Sequence, residues 1–139
     1  MSEEQAQQLM YQMQMLESYL NELTHRESTL MTILREAISA IESIKGLKEN
    51  SDSNTLVPLG MGTFAKSKIS SNDKIVLNIG SGVAIEKEPN AAINFLELRI
   101  KEIEVALQDT AAKKQDAIAR LEHGKQEINH MIQSQQPIS

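Results

Sequence analysis

Two heptad repeats, one in each half of the chain, limit what it can fold into. In the first repeat the spacing alternates strictly between four and three residues, and ten of its eleven positions are apolar. In the second, nine of twelve positions are apolar. This spacing keeps one stripe of a helix turned toward a partner helix and predicts a coiled coil. The positions are Leu9, Met13, Leu16, Leu20, Leu23, Glu27, Leu30, Leu34, Ala37, Ile41 and Ile44, then Ile93, Leu96, Ile100, Ile103, Leu107, Thr110, Lys114, Ala117, Leu121, Gly124, Ile128 and Met131.

The repeats predict one helix over residues 5–46 and another over residues 89–134. Gly46 and the polar run from Lys48 to Asn54 indicate a helix end followed by a loop. Pro89 suits the first turn of the second helix. At 1.5 Å per residue each helix would be about 60–70 Å long. Two seams of equal length favour an antiparallel, left-handed hairpin of helices with both chain ends at one tip.

Two charged residues interrupt the seams about midway along the expected hairpin. Glu27 lies in the first seam and Lys114 in the second. They either face each other and set the register, or each extends outward so that its charge stays in water. The sequence leaves both interpretations open.

Residues 55–87 between the helices are rich in β-formers and contain four of the six glycines. Alternating apolar residues predict a β-hairpin in which Gly80-Ser81-Gly82 is a three-residue turn. This turn would pair Ile79 with Val83 and Leu77 with Ile85, with Gly82 in the left-handed conformation.

The same pattern occurs twenty residues earlier, where Leu59-Gly-Met-Gly-Thr-Phe64 corresponds to Ile79-Gly-Ser-Gly-Val-Ala84. We therefore expect two successive hairpins, joined by Ser70 to Asp73. A four-stranded sheet this small buries little apolar area and has free edges. Because the helices are expected to run away from it, other subunits should cover it. The expected oligomerisation residues are Val57, Leu59, Phe64, Ile75, Leu77, Ile79, Val83 and Ile85.

Several functional classes are not supported by the sequence. There is no cysteine, which fits a reducing cytoplasm, and no apolar run long enough to span a membrane. Residues 1–24 carry four acids and no base, so a nucleic-acid partner at that end is not expected. Each Gly-x-Gly precedes a strand rather than a helix, unlike a phosphate-binding loop. His123 and His130 are too far apart on a helix for one metal, and His25 is isolated. We expect no enzyme activity, metal or cofactor.

The flanking coiled coils resemble those of the prefoldin family when taken together with Leu56-Val-Pro-Leu-Gly60, the run from Asp73 to Lys87, and Ala92-Ile-Asn-Phe-Leu96. The resemblance is to the archaeal alpha class, which has two hairpins rather than one. It covers nearly the whole chain and is strongest over residues 56–104. It implies a mainly α fold with a small β part, whose hairpins form an intersubunit β-barrel in a hexamer of two alpha and four beta subunits. It also implies an ATP-independent chaperone that passes unfolded client proteins to a group II chaperonin.

Apolar residues concentrate near the two chain ends, which would meet at the tip. Some lie outside the two-helix seam and would remain exposed there. Methionine is flexible and suits surfaces that accept many partners. The expected client-binding residues are Met10, Tyr11, Met13, Met15, Tyr19, Ile118, Ile128, Met131 and Ile132. Two alternatives remain: a frayed helix end in which methionine fills space, and a coiled-coil adaptor that joins fixed protein partners.

Overall fold

The computed structural model of the chain describes residues 3–50 and 53–135. In order, the elements are helix α1 (Glu3–Glu49), strands β1 (Ser53–Gly60), β2 (Thr63–Ile69), β3 (Ile75–Gly80) and β4 (Val83–Lys87), and helix α2 (Pro89–Gln135). The chain divides into two compact units. The chain-end unit contains residues 3–32 and 104–135, and the hairpin unit contains residues 33–103.

The helix bounds agree with those predicted from the heptad pattern, except at the C-terminal end of α1. The first helix was predicted to cover roughly residues 5–46, and α1 continues to Glu49. Gly46 costs an exposed helix about 1 kcal/mol relative to alanine, which is not enough to stop it. The Asn50 amide donates to the Gly46 carbonyl at 3.2 Å and closes the last turn. β1 then begins at Ser53, inside the run expected to be a loop.

In the chain-end unit the two helices are antiparallel. Met13 packs against Gly124 and Lys114 bonds to Glu27, so residue numbers rise along α1 as they fall along α2. Leu23, Leu121 and other seam residues are buried between the helices, including Ala117 and Met131. Each seam position predicted from the sequence in this unit is buried or half-buried.

Thr110 is a polar seam residue of the chain-end unit and is fully buried. Its hydroxyl donates to the Ala106 carbonyl one turn earlier at 2.7 Å. This internal bond satisfies the hydroxyl, and the seam therefore accepts a threonine without leaving a polar group unpaired.

In the hairpin unit a small core forms where the helices meet the strands. Ile41 and Ile44 from α1 pack with Ala92 and Ile93 from α2. Ile75, Leu77, Leu96 and Ile100 pack against this cluster. The expectation that the helices leave the strands uncovered was therefore wrong for β3. Lys48 also donates to the Asn90 side chain, joining the end of α1 to the start of α2.

The strands form two separate two-stranded antiparallel sheets, β1–β2 and β3–β4, rather than one four-stranded sheet. The linking turn is held by the Asp73 side chain, which accepts from the Ser70 amide at 2.8 Å. The Asp73 amide in return donates to the Ser70 carbonyl at 3.0 Å. These bonds fix the direction of the chain between the two hairpins.

The two hairpin turns have the same backbone, as the internal repeat indicates. Met61 and Gly62 have φ of 52° and 74°, and Ser81 and Gly82 have 54° and 75°. Positive φ at both central residues defines a two-residue type I′ turn. The preceding glycines, Gly60 and Gly80, also have positive φ, at 110° and 100°.

The prediction of a three-residue turn at Gly80-Ser81-Gly82 was wrong, because Gly80 pairs with Val83, and the predicted register of the second hairpin was partly right. Leu77 does pair with Ile85, but Val83 pairs with Gly80 rather than with Ile79. The register shifts between Asn78 and Gly80, so Ile79 lies in a β-bulge. A bulge adds one residue to a strand and lets a two-residue turn keep the apolar residues of both strands on one face.

Candidate functional site

The off-seam set consists of six apolar or aromatic residues of the chain-end unit that lie outside the helix–helix contact, within residues 10–19 and 118–132. Their exposed fractions run from 42% for Tyr19 to 64% for Tyr11. The members are Met10, Tyr11, Met15, Tyr19, Ile118 and Ile132. Each was expected from the heptad pattern to lie outside the seam, and the structure places each there. Exposed apolar side chains in one small unit are typical of an interaction surface.

The three other predicted client-binding residues are placed differently. Met13 and Ile128 are half-buried in the seam, and Met131 is only 7% exposed. In the folded helix pair these side chains stabilise the contact between α1 and α2 and offer little surface to a partner. The structure therefore separates six surface residues from three seam residues.

A groove lies between α1 and α2 in the chain-end unit, with a volume of about 610 Å³. The residues that line it from α1 are Leu9, Tyr11, Gln12, Met13, Met15 and Leu16, and those that line it from α2 are Ala119, Arg120, His123, Gly124 and Glu127. The heptad pattern did not predict this groove. The sequence feature that indicates the groove is Gly124, a glycine at a seam position, which faces Met13.

Met13 packs directly over the backbone of Gly124. A Cβ atom at residue 124 would lie 3.1 Å from both Cγ and Sδ of Met13. Glycine therefore makes room for a long side chain at this level of the seam. The methionine that fills the space is flexible and can change rotamer.

Two pairs of polar side chains border the groove on α2. Arg120 Nε lies 3.1 Å from Asp116 Oδ2, and His123 Nε2 lies 2.9 Å from Glu127 Oε1. Both pairs are between residues four apart on an exposed helix face, so each contributes little to stability. The α1 side carries Glu3, Glu4, Glu17 and Glu22, which are exposed. The groove is therefore apolar on its α1 side apart from Gln12, and carries the charged or polar residues Arg120, His123 and Glu127 on its α2 side.

The predicted oligomerisation residues fall into two groups in the hairpin unit. Ile75, Leu77 and Ile85 are half-buried, and the first two contact the chain's own helices. The other five are exposed, from 42% for Val57 to 68% for Leu59; they are Val57, Leu59, Phe64, Ile79 and Val83. These five are available to a partner chain.

The first hairpin is apolar on both faces. Val57 pairs with Ala65 and Pro58 pairs with Phe64, and neighbouring pairs along a strand point to opposite faces. Val57 and Phe64 are both exposed, so apolar surface is present on each side of this two-stranded sheet. An isolated sheet of this kind is marginal in water, and its free edges can pair with other strands.

Residues 3–50 and 53–135 contain neither a metal-binding cluster nor a membrane-spanning helix. No group of three or more His, Cys, Asp or Glu residues could hold a metal ion in that part of the chain. Within the same residues, no helix is long and apolar enough to cross a membrane. His123 pairs with Glu127 on the helix surface, while His25 and His130 are exposed.

The chain has two long heptad helices that pack against each other in antiparallel orientation and are joined by two β-hairpins. This arrangement defines a coiled-coil subunit with exposed strands. The prefoldin subunit family matches residues 3–136, and the chain belongs to this family of chaperone subunits. It is 61% identical over 136 residues to the prefoldin subunit alpha of Nitrosopumilus maritimus, covering 98% of this chain and 94% of that one. It is 32% identical to the prefoldin subunit alpha of Pyrococcus horikoshii, covering 94% and 86%.

Solved structures with a similar fold are also prefoldins. The beta subunit from Thermococcus strain KS-1 matches with a TM-score of 0.64 at 16% identity, covering 96% of this chain and 95% of that one. Filamentous prefoldin from Methanocaldococcus jannaschii matches with a TM-score of 0.55 at 21% identity, covering 89% and 98%. At these identities the likeness concerns the fold, and the alpha-type sequence relatives carry the closer relationship.

Proposed function

We propose that this chain is the alpha-type subunit of an ATP-independent chaperone that captures non-native proteins through the off-seam set. In this proposal two copies assemble with four beta-type subunits in the cytoplasm, and the complex passes its clients to a group II chaperonin. The observation that carries the proposal is the exposure of six apolar or aromatic side chains in two short stretches, residues 10–19 and 118–132, outside the helix contact.

The chemistry of the off-seam set supports binding of many different clients. Met10 and Met15 adapt their shape to a partner, while Tyr11 and Tyr19 add broad apolar rings with a polar end. Burying one such side chain fully contributes about 1.5–3 kcal/mol, and less on a wet surface. Contacts to several subunits at once would raise the affinity through effective concentration.

The hairpin unit supports the assembly part of the proposal. Its exposed apolar strand residues need cover, and among the described residues the core cluster at the helices takes in Ile75 and Leu77 of β3 but no residue of β1 or β2. The alpha-type relatives and the beta-type structure of the same fold make beta-type subunits the expected partners. A barrel of strands from several subunits would pair the free edges.

The test compares two fourfold variants of the assembled complex. The first replaces Met10, Met15, Ile118 and Ile132 with glutamine. The matched control replaces Ile33, Ile38, Leu98 and Val105 with glutamine, because these are exposed to between 43% and 65% and lie elsewhere on the same helices. Light scattering then follows aggregation of an unrelated denatured protein without ATP.

The first variant should remain assembled and lose most of its protection, while the control should protect as the parent does. If the first variant protects fully, the off-seam set is not the client site. If the parent complex protects no unrelated protein but binds one fixed partner, the chain is a coiled-coil adaptor instead. A pull-down with a group II chaperonin tests the delivery step separately.

A further inference from the structure

The methionines that the structure describes differ in how far solvent reaches them. Met10 and Met15 on α1 are 55% and 57% exposed, and Met61 in the turn between β1 and β2 is fully exposed. In the seam, Met13 is half-buried and Met131 is 7% exposed. A reagent in water therefore reaches two methionines of the off-seam set more easily than the methionines between the helices.

The sulfur chemistry of the chain is limited to thioethers, because the sequence has seven methionines and no cysteine. A thioether reacts with a peroxide when the sulfur lone pair attacks one peroxide oxygen. The S–O bond forms as the O–O bond breaks, and a proton transfer converts the departing hydroxide into water. Sulfur loses two electrons to the peroxide, and the flexible apolar side chain becomes a polar, chiral sulfoxide.

Oxidation of Met10 and Met15 would change the chemistry of the off-seam set. These two residues are half of its members on α1, and Met15 also lines the groove beside Tyr11. A sulfoxide adds a strong acceptor oxygen to which water binds. Covering that oxygen with an apolar client side chain breaks its hydrogen bonds to water without replacing them, so the contact becomes weaker.

The contact between the helices should survive the same oxidation. The sulfur of Met13 packs over Gly124, 3.1 Å from the position that a Cβ would occupy, and Met131 is almost fully buried. Met10 and Met15 lie outside this contact. Their sulfoxides stay in water when no client is bound and add no buried polar group to the seam.

We propose that Met10 and Met15 are modification sites at which a peroxide lowers client binding. The inference rests on the proposed function and gives the client site a form of regulation. Conversion of the two thioethers to sulfoxides weakens the binding of unfolded proteins, and reductive removal of the oxygen restores it. Loss of two apolar contacts among several should weaken client binding by about five- to tenfold.

Three assembled complexes that share the same beta-type subunits test the proposal. One contains the parent chain, and one contains the double variant Met10→Leu and Met15→Leu, which keeps apolar side chains of similar size without a sulfur. The control contains Met61→Leu, which removes the fully exposed methionine of the hairpin unit. Each complex is treated with hydrogen peroxide, and catalase then removes the oxidant. Fluorescence anisotropy measures binding of a labelled, permanently unfolded, cysteine-alkylated protein before and after treatment.

Peroxide should weaken client binding equally for the parent and the Met61→Leu complexes and hardly change it for the double variant. Because the beta-type subunits are the same, the difference between the complexes reports on Met10 and Met15. The proposal is wrong if the double variant loses as much affinity as the parent, or if the parent loses none. Reductases for the two sulfoxide epimers should restore binding to the oxidised parent complex, and a parent that stays weak after its sulfoxides are reduced would also overturn it.

Peptide mass spectrometry locates the added oxygen. Met10 and Met15 should gain oxygen at least several-fold faster than Met13, Met31 and Met131, with helix content and complex size unchanged by circular dichroism and light scattering. Equal rates, or loss of helix, would show that oxidation acts by unfolding the helix pair. If the fourfold glutamine variant loses client protection while oxidation leaves the parent unchanged, the proposed function stands and this inference fails. If the fourfold variant keeps full protection, the proposed function fails whatever oxidation does.

Discussion

Lys114 donates a hydrogen bond from Nζ to Oε1 of Glu27 at 3.1 Å, from one helix of the chain-end unit to the other. Both side chains are partly buried, with 22% of Lys114 and 36% of Glu27 exposed. A slip of α2 by one heptad would bring Leu107 or Leu121 opposite Glu27 and leave two charges unpaired in an apolar seam. A single polar pair among apolar layers is a known means of setting coiled-coil register.

Replacing only one member of this pair should destabilise the helix pair. Glu27→Leu leaves Lys114 partly buried without its partner and should reduce the free energy of unfolding by about 1 kcal/mol, since water still reaches the site. Adding Lys114→Leu should recover the stability but remove the preference for one register. Circular dichroism measures the stability, and spin labels at Gln8 and Gln126 measure the register. A single narrow distance in the double variant would contradict the register role.

The Met13–Gly124 contact predicts that a larger residue at position 124 can be compensated by a smaller residue at position 13. Gly124→Leu should lower the unfolding midpoint, because a Cβ alone already approaches Met13 to 3.1 Å. Met13→Ala alone should also lower it by removing buried surface. The double variant should be more stable than the sum of the two losses predicts, because the new leucine occupies the space that Met13 leaves. Strict additivity in the thermal unfolding of the four proteins would show that the two positions are independent.

The heptad pattern predicted the helices and the sides that they bury, because each helix has a periodic apolar stripe. Pairing of Glu27 with Lys114 was one of two interpretations, and the structure selects it. Sequence spacing could not choose between them, since both side chains are long enough to reach solvent.

The β-bulge was not predicted from the alternation of apolar residues. The alternation predicts that Ile79 continues the stripe of Ile75 and Leu77, but the bulge takes it out of the ladder. Sequence alternation carries no direct sign of an extra residue in a strand. The one available signal was the glycine after it, which repeats at Gly60 and Gly80 and has positive φ at both places.

Replacement of glycine by alanine should have opposite effects on stability at Gly80 and at Gly46. Gly80→Ala should reduce stability by about 1–2 kcal/mol, because φ of 100° is strained for a residue with a Cβ. Gly46→Ala should increase stability by about 1 kcal/mol, because alanine is the better helix former. Neither added Cβ has an atom within 4 Å to meet, so the backbone alone decides the sign. Thermal unfolding of both variants checks this, and equal signs would contradict it.

If the chain assembles through its hairpins, a substitution there should prevent oligomerisation while the helices stay folded. Ile79 is 49% exposed and lies in the bulge, so Ile79→Asp should leave the helices of the single chain folded. In an assembled barrel the same carboxylate would lose water without gaining a partner, which costs several kcal/mol or forces its protonation. Ser67→Asp is the control, since it adds the same charge at an exposed polar position of β2. Size-exclusion chromatography with light scattering should show loss of the large complex for Ile79→Asp and not for Ser67→Asp, with unchanged helix content in both. A fully assembled Ile79→Asp protein would show that this end of the second hairpin lies outside the subunit interface. Assembly would then have to rest on the first hairpin, because both of its faces expose apolar residues.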